Sequence, residues 1–256
     1  MKLKLPNWGS LCKPNLLLNS DFRNGIVNQK GKTEYNNTSY SSMMTIDGWF
    51  TDYGKVNVYA SSVYFNNTGN TEYGFKQPVK FSEGTYTFYL DCAISGSARL
   101  LIRNTDNEIV INETLPNTCK KSFTFTDSIK FISIIASAGS AVSFNFMKIE
   151  KEEHYTGMPA WDEAFELRKC QYRFQTGTVK GTEYTSANQQ FIRTINIPTM
   201  AKKPSVSYEV NDTYGIDTQS VSAFDKETLI YEFTKNANNG GLRYGMSWEA
   251  DAYDHD

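Results

Sequence analysis

The sequence predicts an all-β protein: a jelly-roll β-sandwich, a short helical joint and a second small antiparallel β domain. Three observations carry that expectation. Apolar and polar residues alternate with period two in short runs broken by Gly, Asn, Asp and Ser, the pattern of half-buried strands. The chain holds 16 Tyr and 16 Phe against 7 Pro, a bias toward residues that favour sheets. A single stretch, Pro159 to Phe174, has helical spacing. At 256 residues there is length for two cores. The expected divisions are residues 1–14, a docking arm; 15–152, the jelly roll; 153–174, linker and helix; and 175–256, the C-terminal β domain.

Composition narrows the function classes. A hydrophobic content of 39% and a charged content of 21% fit a globular chain with a sizeable core. The net charge of -2 and the absence of a dense Lys/Arg cluster argue against nucleic acid as a partner. No run of roughly 20 apolar residues is present, so membrane insertion is not expected, and the charged start Met1-Lys2-Leu3-Lys4 lacks the apolar stretch of a secretory signal. Synthesis in the cytosol is the expectation. Cys12, Cys92, Cys119 and Cys170 are scattered without the close pairs of zinc or redox sites, which favours thiols over disulfides.

Along the chain, Asn15 to Phe22 is an apolar stretch expected to form a short strand, followed by the polar tract Asn28-Gln29-Lys30-Gly31. Ile46-Asp47-Gly48 then turns into Trp49-Phe50. Trp49 is a core anchor or, alternatively, a platform for stacking a sugar ring; the flanking strands favour the core. Tyr53, Tyr59, Tyr64 and Tyr73 punctuate the following loops and strands. Each offers a flat apolar face with a hydroxyl, suited to ligand binding, although Tyr is also common in strands.

Between Val79 and Glu150 the strand signals come in quick succession. Tyr86, Phe88, Leu90, Cys92 and Ile94 alternate with Thr85, Thr87, Tyr89 and Asp91. Ala98–Arg103 and Glu108–Asn112 flank the polar loop Asn104 to Asn107, a hairpin that places Arg99 and Arg103 on its exposed face as ligand candidates. Phe123 to Phe125, Ile129 to Ala136 and Val142 to Phe146 add strands. Many short antiparallel strands without intervening helices pack most simply as a two-sheet jelly roll.

The joint explains itself by charge and period. Pro159 suits a first helical position, Asp162 and Glu163 the first turn, and Arg168 and Lys169 the last. Trp161, Phe165, Leu167 and Cys170 recur on one face, and from Tyr172 and Phe174 the period becomes that of a strand. These six residues are the expected joint and assembly contacts. Past them, alternation over Phe191–Ile197, Val206–Val210, Leu229–Phe233 and Tyr244–Trp248 predicts a unit of about 80 residues, small enough that self-association would complete its core. The tail from Ala250 to Asp256 is acidic and expected to fray.

Catalytic signals are sparse. His154 and His255 are the histidines of the chain, and neither adjoins a nucleophile motif; no Gly-x-Ser-x-Gly, His-Glu-x-x-His or Cys-x-x-Cys occurs. Asp47, Asp91, Glu72 and Glu113 are nominal carboxylates for glycoside hydrolysis, which depends on spatial separation. An enzyme is not expected.

Two sets of motifs resemble a known family. Asn15-Leu16-Leu17-Leu18-Asn19-Ser20-Asp21-Phe22, Asn28-Gln29-Lys30-Gly31 and Asp47-Gly48-Trp49 are similar to the opening of a domain in tail-fibre and other tail-associated proteins of bacteriophages and prophages. The departure there is Lys30, where the family's tract has Arg. Met147 to Glu150, Tyr155 to Pro159 and Glu166-Leu167-Arg168-Lys169-Cys170-Gln171 resemble the family's closing strand, Thr-Pro linker and Glu-Leu-x-x-Cys-Gln-Arg-Tyr helix end. Gly157 and Met158 separate Thr156 from Pro159, and Tyr172-Arg173 reverses the family's order. The resemblance covers residues 15–174. It implies a sandwich like a carbohydrate-binding module, a homotrimer, a place in the virion, and non-catalytic binding of host-surface glycan. Residues 1–14, outside the resemblance, mix Lys and apolar residues without a clean period, and are an arm that either docks on a partner, as on other virion proteins, or folds back on its own domain. A purely architectural virion protein (capsid fibre or adaptor) and a polysaccharide depolymerase are the alternatives. No cofactor is implied beyond a structural calcium ion, for which Asp21, Asp47 and Glu150 are the oxygen ligands to inspect.

Overall fold

The computed structural model describes residues 12–157, 159–185, 190–235 and 240–253. Its core positions are those that the two-residue period points inward. The strands of the N-terminal half are β1 (Glu34–Asn37), β2 (Met43–Met44), β3 (Phe50–Thr51), β4 (Gly54–Val58), β5 (Val63–Asn66) and β6 (Tyr73–Phe81). They continue as β7 (Gly84–Ser95), β8 (Ala98–Asn104), β9 (Ile109–Thr114), β10 (Thr118–Phe125), β11 (Ile129–Ala136) and β12 (Ala141–Glu150). Two six-stranded sheets result, in the orders β1-β4-β5-β12-β7-β10 and β2-β3-β6-β11-β8-β9, with antiparallel pairing throughout. Consecutive strands such as β6 and β7 lie in different sheets, as in a jelly roll. We call the two sheets the β12 sheet and the β11 sheet.

Phe75 sits at the centre of the sandwich. Its ring stacks on Trp49 at 4.7 Å and on Phe144 at 5.2 Å, and Phe65 lies at 6.1 Å. Trp49 is a core anchor, fully buried, its indole N–H shared between the carbonyls of Leu18 and Asn19 at 3.0 Å each. Residues 15 to 22 do not form the expected strand. The backbone turns at Asn19, φ 47°, whose side chain accepts from the Val27 N–H and donates to the Val27 and Asp47 carbonyls. A short polar side chain that satisfies backbone groups in this way competes with a strand ladder.

The chain divides into two compact units between Glu166 and Leu167. The division falls inside α1 (Glu163–Gln171). This helix starts later than Pro159 because the Asp162 carboxylate accepts the Phe165 N–H at 2.9 Å, making Asp162 the N-cap. Its apolar face is only partly covered: Cys170 is buried, whereas Phe165 is 57% exposed. Tyr172 is exposed and Phe174 buried.

The second unit holds β13 (Phe174–Thr185), β14 (Gln190–Asn196), β15 (Ser205–Tyr214), β16 (Ile216–Ala223), β17 (Thr228–Lys235) and β18 (Gly240–Asp251). These make two three-stranded antiparallel sheets, β13-β18-β15 and β14-β17-β16, around Tyr231, Phe233, Met246 and Trp248. Gly177 faces Trp248 across the β13–β18 ladder, and a Cβ there would meet the indole at 2.4 Å, so the bare backbone makes room for the ring. The tail is not frayed at its start: β18 runs to Asp251, and Ala252 and Tyr253 are buried, while Asp254 to Asp256 lie outside the described residues. All four cysteines are thiols.

Candidate functional site

The outer faces of the two sandwich sheets differ. On the β12 sheet the chain covers its own strands. The Tyr155 ring stacks on Tyr89 at 4.6 Å, and the Arg23 guanidinium lies 4.7 Å from the Phe146 ring. The Thr87 hydroxyl donates to the Glu152 carbonyl at 2.7 Å, and the Ser122 hydroxyl to that of Glu153 at 2.8 Å. Beneath this strap Lys148 and Glu150, two residues apart on the same side of β12, form a fully buried ion pair of 2.9 Å.

The β11 sheet carries an open groove. Strand register builds its floor in three rows across β6, β11 and β8: Gly74, Ile135 and Arg99; Lys76, Ser133 and Leu101; Pro78, Phe131 and Arg103. Gly74 matters in the first row, because a Cβ there would stand 2.8 Å from the Ile135 side chain. The groove encloses about 290 Å³. Apolar Leu101, Phe131 and Ile135 alternate with charged neighbours, so the surface offers both contact area and hydrogen bonds. Asp52 accepts from Lys76 at 2.6 Å, and Glu72 pairs with Arg99, which also donates to Asn112 at 2.6 Å. Arg103 donates to the Asn107 carbonyl at 2.6 Å and has no carboxylate partner among the described residues.

A tyrosine cluster stands at one end. Tyr73 follows Glu72 in the chain but points to the opposite face of β6, where it packs at the edge of the buried core beside Ala136, and Tyr53 follows Asp52. Tyr53 stacks on Tyr40 at 4.5 Å and lies 4.9 Å from Tyr73; Tyr40 and Tyr73 are 5.9 Å apart. Gly69 lets the rings close up, since a Cβ there would meet the Tyr73 ring at 2.5 Å and the Tyr53 ring at 3.0 Å. Tyr40 is 65% exposed and presents the open face of the stack. The Tyr53 hydroxyl beside it, by hydrogen bond and charge, raises the Tyr40 phenol above its ordinary pKa.

Of the sequence candidates, then, Arg99 and Arg103 line the groove, whereas Tyr53 and Tyr73 pack on each other and do not line it. Tyr59 lies exposed at the β4–β5 turn, and Tyr64 on the outer side of the β12 sheet. Tyr40 was missed, with Asp52 and Lys76. Its signal is faint: a Tyr among Ser residues, in a left-handed turn of φ 56°.

The acidic trio Asp21, Asp47 and Glu150 does not converge into a calcium site; no cluster of three acidic, His or Cys side chains occurs among the described residues. Each carboxylate is met by protein donors instead. Asp21 receives Asn24 at 2.8 Å and Arg23 at 3.4 Å; Glu150 receives Lys148 and the Thr156 N–H. Asp47 receives the Gln29 side chain at 3.0 Å and its N–H at 3.3 Å. Burial outweighs those bonds and pushes the Asp47 carboxyl up from 3.8 to about 6.

That shift has a sign. The folded state holds the Asp47 proton more tightly than the unfolded chain, so its contribution is fully present below pH about 4 and is lost as pH rises through about 6. A shift of this size corresponds to roughly 3 kcal/mol. Urea titrations of the native chain and Asp47→Asn at pH about 4 and about 7 should show the native chain losing that much relative to the variant. Parallel pH profiles would contradict the assignment.

No protein-family model and no curated protein matches the sequence. Among solved structures, the chain is similar to a family 29 carbohydrate-binding module complexed with cellulohexaose, at 13% identity and a TM-score of 0.32, over 54% of this chain and 88% of that one. TmCBM61 in complex with beta-1,4-galactotriose is similar at 13% identity and a TM-score of 0.31, over 54% and 99%. Discoidin II from Dictyostelium discoideum is similar at 10% identity and a TM-score of 0.26, over 76% and 82%.

Proposed function

We propose that this chain is a non-enzymatic component of a bacteriophage virion, in a tail fibre, tail tip or baseplate appendage, and that it binds host-surface glycan through the β11-sheet groove and its tyrosine cluster. The observation that carries the reading is the open groove, in which ion-paired Arg, Lys, Asp and Glu side chains alternate with Leu101, Phe131 and Ile135; the stack topped by exposed Tyr40, whose members Tyr53 and Tyr73 follow the groove residues Asp52 and Glu72 in the chain, adds an aromatic face. Sugar rings present apolar faces and hydroxyl edges; tyrosines meet the first and fixed charges the second. The two motif sets in matching order, from Asn15 to Phe22 and from Glu166 to Gln171, support the virion assignment.

Non-catalytic binding is supported by the groove's own carboxylates. Hydrolysis by paired carboxyls needs one held as a proton donor. Asp52 and Glu72 are each already engaged by a cation, Lys76 and Arg99, rather than facing one another as an acid and base pair. Self-association of the C-terminal unit, as a homotrimer, is supported by its small size and by apolar side chains left exposed: Ile192 on β14, Tyr208 and Val210 on β15, and Phe224 in the turn between β16 and β17. Light scattering of the full chain tests it: a trimer mass is expected, and a monomer would remove this part of the proposal. The docking arm of residues 1–14 falls mostly outside the described residues, which begin at Cys12.

The binding reading is tested on an array of bacterial surface oligosaccharides probed with the full chain. Retention on a subset of glycans is expected, and Tyr40→Ala should weaken it about thirtyfold, the effect of losing ~2 kcal/mol at a central aromatic contact. Because Tyr40 is exposed but stacked on Tyr53, the unfolding free energy should fall by only about 0.5–1.5 kcal/mol, leaving the chain folded for the binding assay. Undiminished binding by the Tyr40→Ala chain would move the site elsewhere. Release of reducing ends from a bound polysaccharide would make the chain a depolymerase.

A further inference from the structure

The charges in the groove are not balanced. Lys76 is matched by Asp52 and Arg99 by Glu72, whereas Arg103 has only the neutral Asn107 carbonyl. The lining therefore holds three cations against two anions. Arg99 adds a second unmet demand: its Nε donor is buried and has no acceptor. A buried donor without an acceptor costs stability until something supplies one. Both unmet groups belong to guanidinium side chains four residues apart on β8, on the same side of the sheet, with Phe131 and Ile135 opposite them on β11.

We infer that the groove takes an acidic saccharide, one whose sugar rings bear a carboxylate, such as a uronate or a sialate. This rests on the groove being a saccharide site. A guanidinium fork matches a carboxylate with two parallel hydrogen bonds, and at a partly covered site such charge-assisted bonds are about twice as strong as neutral ones. Arg103 supplies that fork. Asp52 and Glu72 remain as acceptors for sugar hydroxyls, and they also set an upper limit on ligand charge. One negative group per ring meets one excess cation, whereas a polymer with several sulfates per ring would be repelled by the two carboxylates. The tyrosine stack then supplies the apolar surface for a neighbouring ring.

The test uses the full chain and four polymers, polygalacturonate, alginate, hyaluronate and polysialate, each beside its carboxyl-reduced product. At least one acidic polymer should bind, at least tenfold tighter than its neutral partner, with the difference shrinking as salt rises. Arg103→Gln should abolish that preference while the urea midpoint stays in place, and Tyr40→Ala should weaken acidic and neutral forms alike. Equal binding of acidic and reduced polymers, still weakened by Tyr40→Ala, would overturn the acidic class and leave the saccharide site standing. Retention of none of the four acidic polymers overturns the inference as well.

Discussion

Replacing Lys148 with alanine is expected to lower the stability of the N-terminal unit by about 3–5 kcal/mol, the range for removing one partner of a buried ion pair. The ammonium is fully enclosed and donates to Glu150 at 2.9 Å, to the Gly157 carbonyl at 2.6 Å and to Thr156 at 3.3 Å, with the Tyr155 ring 5.3 Å away. Without it Glu150 stays buried as an uncompensated charge, still bound to the Thr156 N–H. The double variant Lys148→Met, Glu150→Leu removes both charges and should recover most of the loss. Urea denaturation of the three chains reads the difference. A loss under about 1 kcal/mol would mean that water reaches the pair. The strap over the β12 sheet would then be loose, and that sheet's outer face would become a rival binding surface.

Trp49→Ala should cost a comparable 3–5 kcal/mol, about the expected price of emptying a core position of its largest side chain. The indole is sandwiched against Phe75 at 4.7 Å and meets the edge of Phe22 at 6.1 Å. Trp49→Phe separates the ring from its polar bond: it keeps much of the stack but leaves the Leu18 and Asn19 carbonyls without their shared donor. A smaller loss, roughly 1–3 kcal/mol, is expected. Glycan binding should survive in both variants under conditions where they remain folded, because Trp49 is buried away from the groove. Loss of binding by folded Trp49→Phe would revive the stacking role that burial argues against.

Much of the sandwich was legible in the sequence because its inner faces are written with period two. Tyr86, Phe88, Leu90 and Cys92 of β7 are all buried, as their alternation with Thr85 and Tyr89 requires. Asn15 to Phe22 misled because local hydrophobicity cannot report a backbone turn fixed by distant partners: Asn19 is held by Val27 and Asp47. The helix start was displaced for a similar reason, since the side chain of Asp162 outweighed the permissive geometry of Pro159.

The site was legible in pieces. Arg99 and Arg103 share a face by their spacing in a strand, and Tyr53 and Tyr73 stand out by type. What brings them together is the pairing of β3 with β6 and of β6 with β11, which joins residues far apart in the chain. Tyr40 has no periodic signal, lying in a Ser-rich turn outside any strand. Asp21, Asp47 and Glu150 do not converge because each finds separate donors, two from turns and one at the end of β12.

The most direct measurement is a crystal structure of the full chain soaked with the oligosaccharide that binds it best on the array. The account predicts saccharide density along the β11 sheet, with a ring against Tyr40 and polar contacts to Arg99 and Arg103. Density over Tyr64 on the β12 sheet, or on the C-terminal unit, would contradict it.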